Sequence, residues 1–255
     1  MQIVKPLIFI SNDDGYQAGG VKALVEALRP LGDILVVAPS EARSGASCSI
    51  TSTVPLRLKL VRREPGVEVY SCSGMPVDCV KLGLQELCER RPSVVVSGIN
   101  HGNNEGMNVH YSGTMNIAVE AAMKHIPAVG FSLMNFSPDA DFAPCQDLCA
   151  SIVAKVLSEG LPEGVCLNVN FPASPIYKGV KVCRQAKGEW TNEWKKCDHP
   201  RGGSYYWLTG DYSDCEPFSL EADYHALRDG YVTVTPVTID MTAYGAIDKI
   251  KSWNL

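Results

Sequence analysis

Asn12-Asp13-Asp14-Gly15 follows, one serine on, an apolar run, Leu7-Ile8-Phe9-Ile10, that reads as a buried strand. Two adjacent carboxylates at the C-terminal end of such a strand are costly to bury unless a cation pairs with them. Open α/β sheets also place their ligands at that end. A bound divalent cation satisfies both conditions. The competing structural reading, carboxylates that cap a helix beginning near Gly20, needs only the Asp-Gly turn. It loses ground because other oxygen donors stand at the ends of other apolar runs. Ile34 to Ala38 leads through Pro39 to Ser44-Gly45, and Val94-Val95-Val96 leads to Ser97-Gly98-Ile99-Asn100. The carboxylates of Asp13 and Asp14, the Ser44 hydroxyl and the Asn100 amide oxygen form an all-oxygen set, which suits Mg²⁺ or Mn²⁺. Zinc recruits histidine or cysteine, and these turns offer only His101.

A second constellation is Tyr111-Ser112-Gly113-Thr114, which leads into a helix. Backbone N–H groups at a helix start cradle anions, and the Ser112 and Thr114 hydroxyls add donors. The glycine- and asparagine-rich loop before it, Gly98 to Gly113, supplies Asn104 as a further phosphate contact. Its glycines fit neither G-x-G-x-x-G nor a P-loop, which disfavours NAD binding and ATP-driven P-loop chemistry. No G-x-S-x-G elbow occurs, which disfavours an α/β-hydrolase esterase. A cation and an anion cradle on one rim point to phosphate-ester chemistry, with Asp13 or Asp14 as base or as the group that orients the nucleophile. Arg43 is the one cationic residue beside these motifs. His101 and His110 lie within reach in the long loop; His125, His199 and His225 show no partner spacing, and Glu120 is expected on the surface.

Strand and helix signals alternate through the first two-thirds of the chain. Val21, Leu24, Val25 and Leu28 recur at helical spacing, Pro76 to Leu87 and Thr114 to Lys124 read as helices, and Cys145 to Val156 outlines another. Strand-like segments stand at Leu56 to Leu60, Val67 to Ser71, Ala128 to Ser132 and Val165 to Val169. The alternation predicts a Rossmann-like α/β fold, a mostly parallel sheet flanked by helices, with the strand ends along one rim. After Phe171-Pro172 the pattern changes to tryptophans, tyrosines and glycines, which predicts a C-terminal β-rich arm. The expected organisation is one unit over 1–255: a core at 1–172, the arm at 173–230, and a return strand and terminal helix at 231–255.

At 255 residues the chain can bury one sizeable core without covalent staples. Net charge is -5 with no basic block, which argues against a duplex nucleic-acid partner. No apolar run approaches the ~20 residues of a membrane span. Asn12-Asp13-Asp14-Gly15 stands where a leader's cleavage site would be, so the expected location is cytoplasmic. The ten cysteines include no C-x-x-C pair, and several, such as Cys79, Cys88, Cys149 and Cys166, sit within apolar patterns. Reduced thiols acting as small hydrophobes are expected.

At these residues the chain closely resembles the SurE family of metal-dependent nucleoside monophosphate phosphatases. The matching segments are Ser11 to Gly15, Val37-Ala38-Pro39 with Ser44 to Ser47, Gly74 to Val80, Ser97 to Gly106, Tyr111 to Thr114, Leu167 to Asn170, and Thr235-Pro236 with Asp240. The resemblance implies metal ligation by Asp13, Asp14, Ser44 and Asn100, with one Mg²⁺ or Mn²⁺ per subunit. It implies phosphate contacts from Asn104, Ser112, Gly113 and Thr114. It further implies a homodimer or homotetramer built through the arm, and action on nucleoside 5′-monophosphates, with 3′-monophosphates and short polyphosphate as further substrates. Met75, Met115-Asn116 and Glu120-Ala121 depart from the family's usual residues but spare the ligands. Two other readings use the same residues. A nucleotide-binding module without hydrolysis leaves the paired carboxylates without a purpose. A glycosyltransferase-like enzyme needs a second α/β unit, for which the arm is too short.

Overall fold

The computed structural model describes residues 5–253; residues 1–4 and 254–255, the two ends of the expected 1–255 unit, lie outside them. The chain opens with β1 (Leu7–Ser11) and crosses through α1 (Gly19–Leu28) to β2 (Asp33–Pro39). A hairpin follows, β3 (Leu58–Glu64) and β4 (Val67–Cys72). Then come α2 (Pro76–Glu86), β5 (Val94–His101), α3 (Gly113–Met123), β6 (Ala128–Leu133), α4 (Gln146–Glu159) and β7 (Val165–Phe171). The C-terminal part contributes β8 (Val180–Val182), β9 (Gly188–Thr191), β10 (Trp194–Asp198), β11 (Ser204–Leu208), β12 (Asp211–Asp214), α5 (Asp223–Arg228), β13 (Val232–Thr238) and α6 (Ile247–Lys251).

A nine-stranded sheet runs in the order β3-β4-β2-β1-β5-β6-β7-β13-β8. Strands β4, β2, β1, β5, β6 and β7 are parallel. They read as unbroken apolar runs because helices cover both faces. Alternate side chains of β1 serve opposite layers: Ile8 and Ile10 pack with Leu24 and Val25 of α1 and with Val153 of α4, while Phe9 packs with Val80 of α2 and Ile117 of α3. Full burial of each such side chain contributes roughly 1.5–3 kcal/mol. From β1 the chain builds outward to β2 and β4, then returns to place β5 on the other side of β1. Strand order therefore reverses between β1 and β5, with Ser11 opposite Ser97 at their C-terminal ends. A crevice for ligands opens at such a switch point.

The arm is β-rich as expected. Strands β9 and β12 pair, as do β10 and β11, forming a long antiparallel hairpin in two stretches. The arm also contains α5, which the sequence reading did not find. Six residues are too few to show a helical period, yet Asp223, His225, Ala226 and Leu227 of this helix are buried. The terminal helix is shorter than expected, a single turn at Tyr244–Ala246 followed by α6. No helix among the described residues is long and apolar enough to cross a membrane. All ten cysteines are free thiols.

Candidate active site

Asn12, fully buried after β1, closes a tight turn with Gly15. Its Nδ2 donates to the Gly15 carbonyl at 3.0 Å and its Oδ1 accepts the Gly15 N–H at 3.1 Å. The turn holds Asp13 and Asp14 at its crest. Two backbone bonds tie this region to the end of β2 and the loop after it: Tyr16 N–H donates to the Pro39 carbonyl at 3.0 Å, and Arg43 N–H to the Asp13 carbonyl at 2.6 Å. The second bond brings the segment carrying Ser44 beside Asp13. Ser44 itself is exposed. On the other side, the His101 N–H at the end of β5 donates to Asp14 Oδ2 at 3.2 Å. Asn100 spends its Nδ2 on the carbonyls of His101 and Gly102, at 3.0 and 2.9 Å. Its Oδ1 is thereby turned toward the Thr114 hydroxyl, 3.4 Å away.

The start of α3 completes the rim. Ser112 caps the helix by accepting the Met115 N–H at 3.0 Å. The Thr114 hydroxyl donates to Asp13 Oδ1, and the Thr114 carbonyl accepts from the Ser97 hydroxyl at 2.7 Å. Position 113 must be glycine here, because a Cβ would stand 2.8 Å from Asp13 Oδ2. The first N–H groups of a helix have no intrahelical acceptor. The anion cradle and the carboxylate pair thus share one wall.

Asp13 is only 4% exposed. Burial pushes its carboxyl from 3.8 up to about 6; the Thr114 bond opposes that shift and the neighbouring Asp14 charge adds to it. Burial also raises Asp14, opposed by the His101 backbone bond and the His101 ring. Among the described residues no lysine or arginine forms an ion pair with Asp13 or Asp14. A buried Asp13 with a half-buried Asp14 beside it, next to an orientated amide oxygen, fits a hard divalent cation.

Asn104 is buried in a hydrogen-bond network. Its N–H donates to Asn170 Oδ1 at 2.7 Å, its Nδ2 to Ser132 Oγ at 2.7 Å, and its carbonyl accepts from Asn168 Nδ2 at 2.8 Å. Ser132 is the ladder neighbour of Asn100, so the network abuts the same rim. The signal for these partners was a polar residue inside an otherwise apolar strand, as in Leu167-Asn168-Val169-Asn170. Three expectations need correction. Glu120 is buried, not on the surface, and pairs with Lys81 Nζ at 2.7 Å across to α2. His225, which showed no partner spacing, has Nε2 2.6 Å from Asp214 Oδ2. The Gly98 to Gly113 loop is partly regular: β5 extends to His101 and a 3₁₀ turn spans Gly106–His110.

The family described as Survival protein SurE matches residues 8–192. A Phocaeicola vulgatus protein named 5′-nucleotidase SurE is 51% identical over 255 residues, covering 100% of this chain and 99% of that protein. A Bacteroides thetaiotaomicron protein of the same name is 51% identical over 253 residues, covering 99% of this chain and 98% of that one. The crystal structure of the SurE protein from Aquifex aeolicus superposes with a TM-score of 0.84 at 38% identity, covering 98% of this chain and 100% of that one. Likeness of this extent runs through sheet and arm together, and the chain belongs to the SurE family.

Proposed function

We propose that the protein is a divalent-metal-dependent phosphatase, a 5′-nucleotidase that hydrolyses nucleoside 5′-monophosphates to nucleoside and phosphate. One observation carries this reading: at the switch point of the sheet the Thr114 hydroxyl, at the start of α3, reaches both the buried Asp13, beside Asp14, and the Asn100 amide oxygen. The names of the relatives point the same way.

Asp13, Asp14, Asn100 and Ser44 would hold the cation, Mg²⁺ or Mn²⁺, one per subunit. When bound, such an ion supplies Lewis acidity toward the phosphoryl group. The chain's own groups supply the rest. Thr114 holds Asp13 in one orientation. The Gly113 N–H and the Ser112 hydroxyl meet the phosphate oxygens and offset the charge that builds on them in the transition state. Asn104 braces the loop between the two halves of the site. Asp13 and Asp14 orient or deprotonate the attacking water. Its oxygen bonds to phosphorus as the bond to the 5′ oxygen breaks, and a proton passes to that departing oxygen, which leaves as the nucleoside 5′ hydroxyl.

We infer a homodimer or homotetramer joined through the arm, because Trp194, Trp207 and Leu208 expose apolar surface along β10 and β11. Ten free thiols suit a reducing, cytoplasmic setting. The test is phosphate release from AMP with Mg²⁺ or Mn²⁺, with a chelator control, and with 3′-monophosphates and short polyphosphate as companion substrates. Metal-dependent release supports the reading. Calorimetric AMP binding with no phosphate released under any metal replaces it with the non-hydrolytic module.

A further inference from the structure

The loop from Asn100 to Ser112 has a proposed metal ligand at one end and the anion cradle at the other. Neither end holds its middle. Asn104 ties its near half to β6 and β7, and the arm holds the turn that follows. The Gly106 N–H donates to the carboxylate of Asp223, at 3.2 and 3.1 Å to its two oxygens. Asp223 is fully buried and also accepts the Ala186 N–H at 2.8 Å, the Tyr224 N–H at 2.8 Å and the Thr235 hydroxyl at 3.3 Å. One carboxylate therefore gathers the active-site loop, the outgoing arm, α5 and the return strand β13.

Two further contacts act on the same turn. Glu105 is 1% exposed and accepts from Arg228 of α5 at 2.9 Å. The Arg228 guanidinium lies 3.4 Å over the Tyr224 ring. Trp190 of β9 donates its indole N–H to Asn108 Oδ1 at 3.0 Å. Gly106 has φ +56°, and a Cβ there would stand 2.8 Å from the Tyr212 hydroxyl of β12. Glu105 also accepts from Asn103 Nδ2 within the loop, at 2.5 and 2.6 Å. Shifting the loop would cost buried Glu105 its one cationic partner among the described residues and Asp223 one of its donors, so the arm favours this loop geometry.

We infer that the base of the arm positions the active-site loop, with Asp223 and Arg228 as its anchors and Trp190 as a third brace. This rests on the phosphatase reading for its catalytic consequence. None of the three is a catalytic residue; each acts through the Glu105 to Asn108 turn. The anchors lie more than a hundred residues beyond the loop they hold, 117 in the case of Asp223 and Gly106.

The test uses the full chain with Arg228→Met, Arg228→Lys and Trp190→Phe, and reads amide hydrogen exchange together with kinetics. In Arg228→Met, amides over 102–112 exchange at least about tenfold faster while those of β1 are unchanged. The KM for AMP and the inhibition constant of inorganic phosphate rise about tenfold, with kcat less affected. Arg228→Lys restores most of both, and Trp190→Phe shifts both in the same direction by about threefold. Unchanged exchange at 102–112 in Arg228→Met and Trp190→Phe overturns the inference, as does acceleration spread evenly through β1. Should Arg228→Met fail to fold, Trp190→Phe carries the same two readouts. A wild-type protein that releases no phosphate sinks the phosphatase reading instead, and the exchange data still decide the positioning role.

Discussion

The Thr114 hydroxyl donates a hydrogen bond to Oδ1 of Asp13, joining the first turn of α3 to the end of β1 across 101 residues of sequence. The bond fixes the orientation of the most buried carboxylate of the site and links the proposed metal ligands to the phosphate cradle. Thr114→Val removes that donor and keeps the shape. It is expected to lower kcat/KM about ten- to a hundredfold, the usual effect of losing a group that orients a ligand. Thr114→Ser should recover most of the loss. Steady-state kinetics on AMP, with circular dichroism to verify the fold, decides it; a valine variant as active as wild type removes Thr114 from the mechanism.

Asp13 makes the metal-free fold pH-dependent. Its carboxyl titrates near 6 in the folded chain against 3.8 when unperturbed. Between those values the folded chain keeps a proton that the unfolded chain has released. This group's favourable contribution is therefore complete below 3.8, declines as pH rises, and is gone above about 6. The difference corresponds to about 3 kcal/mol at neutral pH. A bound cation would take the place of the proton. Melting-temperature gains from Mg²⁺ or Mn²⁺ should be large at pH 7.5 and shrink below pH 6, where protons compete. Asp13→Asn should raise metal-free stability at pH 7.5, abolish the metal response and cut turnover about a thousandfold or more. A metal response that persists in Asp13→Asn contradicts the ligand assignment.

Gly113→Ala places a methyl group 2.8 Å from Asp13 Oδ2 and Cβ. Alanine is an ordinary residue in a first helical turn, so α3 survives and the conflict falls on the carboxylate. Activity should drop about a hundredfold, in keeping with a displacement near 1 Å at a reacting site. Metal-induced stabilisation should weaken in parallel. Kinetics and thermal melting on one preparation test this, and normal activity would show that the helix start can move freely away from Asp13.

Lys81→Met provides a contrast remote from the rim. Among the described residues it leaves Glu120, 3% exposed, with Lys124 at 3.9 Å as its one cationic partner. Lys81 is partly solvated, so the expected loss of stability is moderate, about 1–3 kcal/mol. Chemical denaturation should show it, with kcat and KM on AMP unchanged. A kinetic defect at full stability would tie the α2–α3 contact to the site.

The sequence by itself determined the sheet and the rim on which the candidate site stands. Buried parallel strands must be apolar on both faces, so Leu7 to Ile10, Ile34 to Ala38 and Val94 to Val96 announce themselves as runs, and the polar residues that end them fall on one rim. Asp13, Asp14 and Asn100 were legible for that reason. Only the tertiary structure decided which polar groups meet. It spends the Thr114 hydroxyl on Asp13, buries Asn104 against Ser132, pairs Glu120 with Lys81, and gives Gly106 its partner in Asp223. Periodicity and capping act over a turn or two of chain. The partner of a buried polar group is set by desolvation in the packed interior, where an unmade bond is costly whatever its separation in sequence.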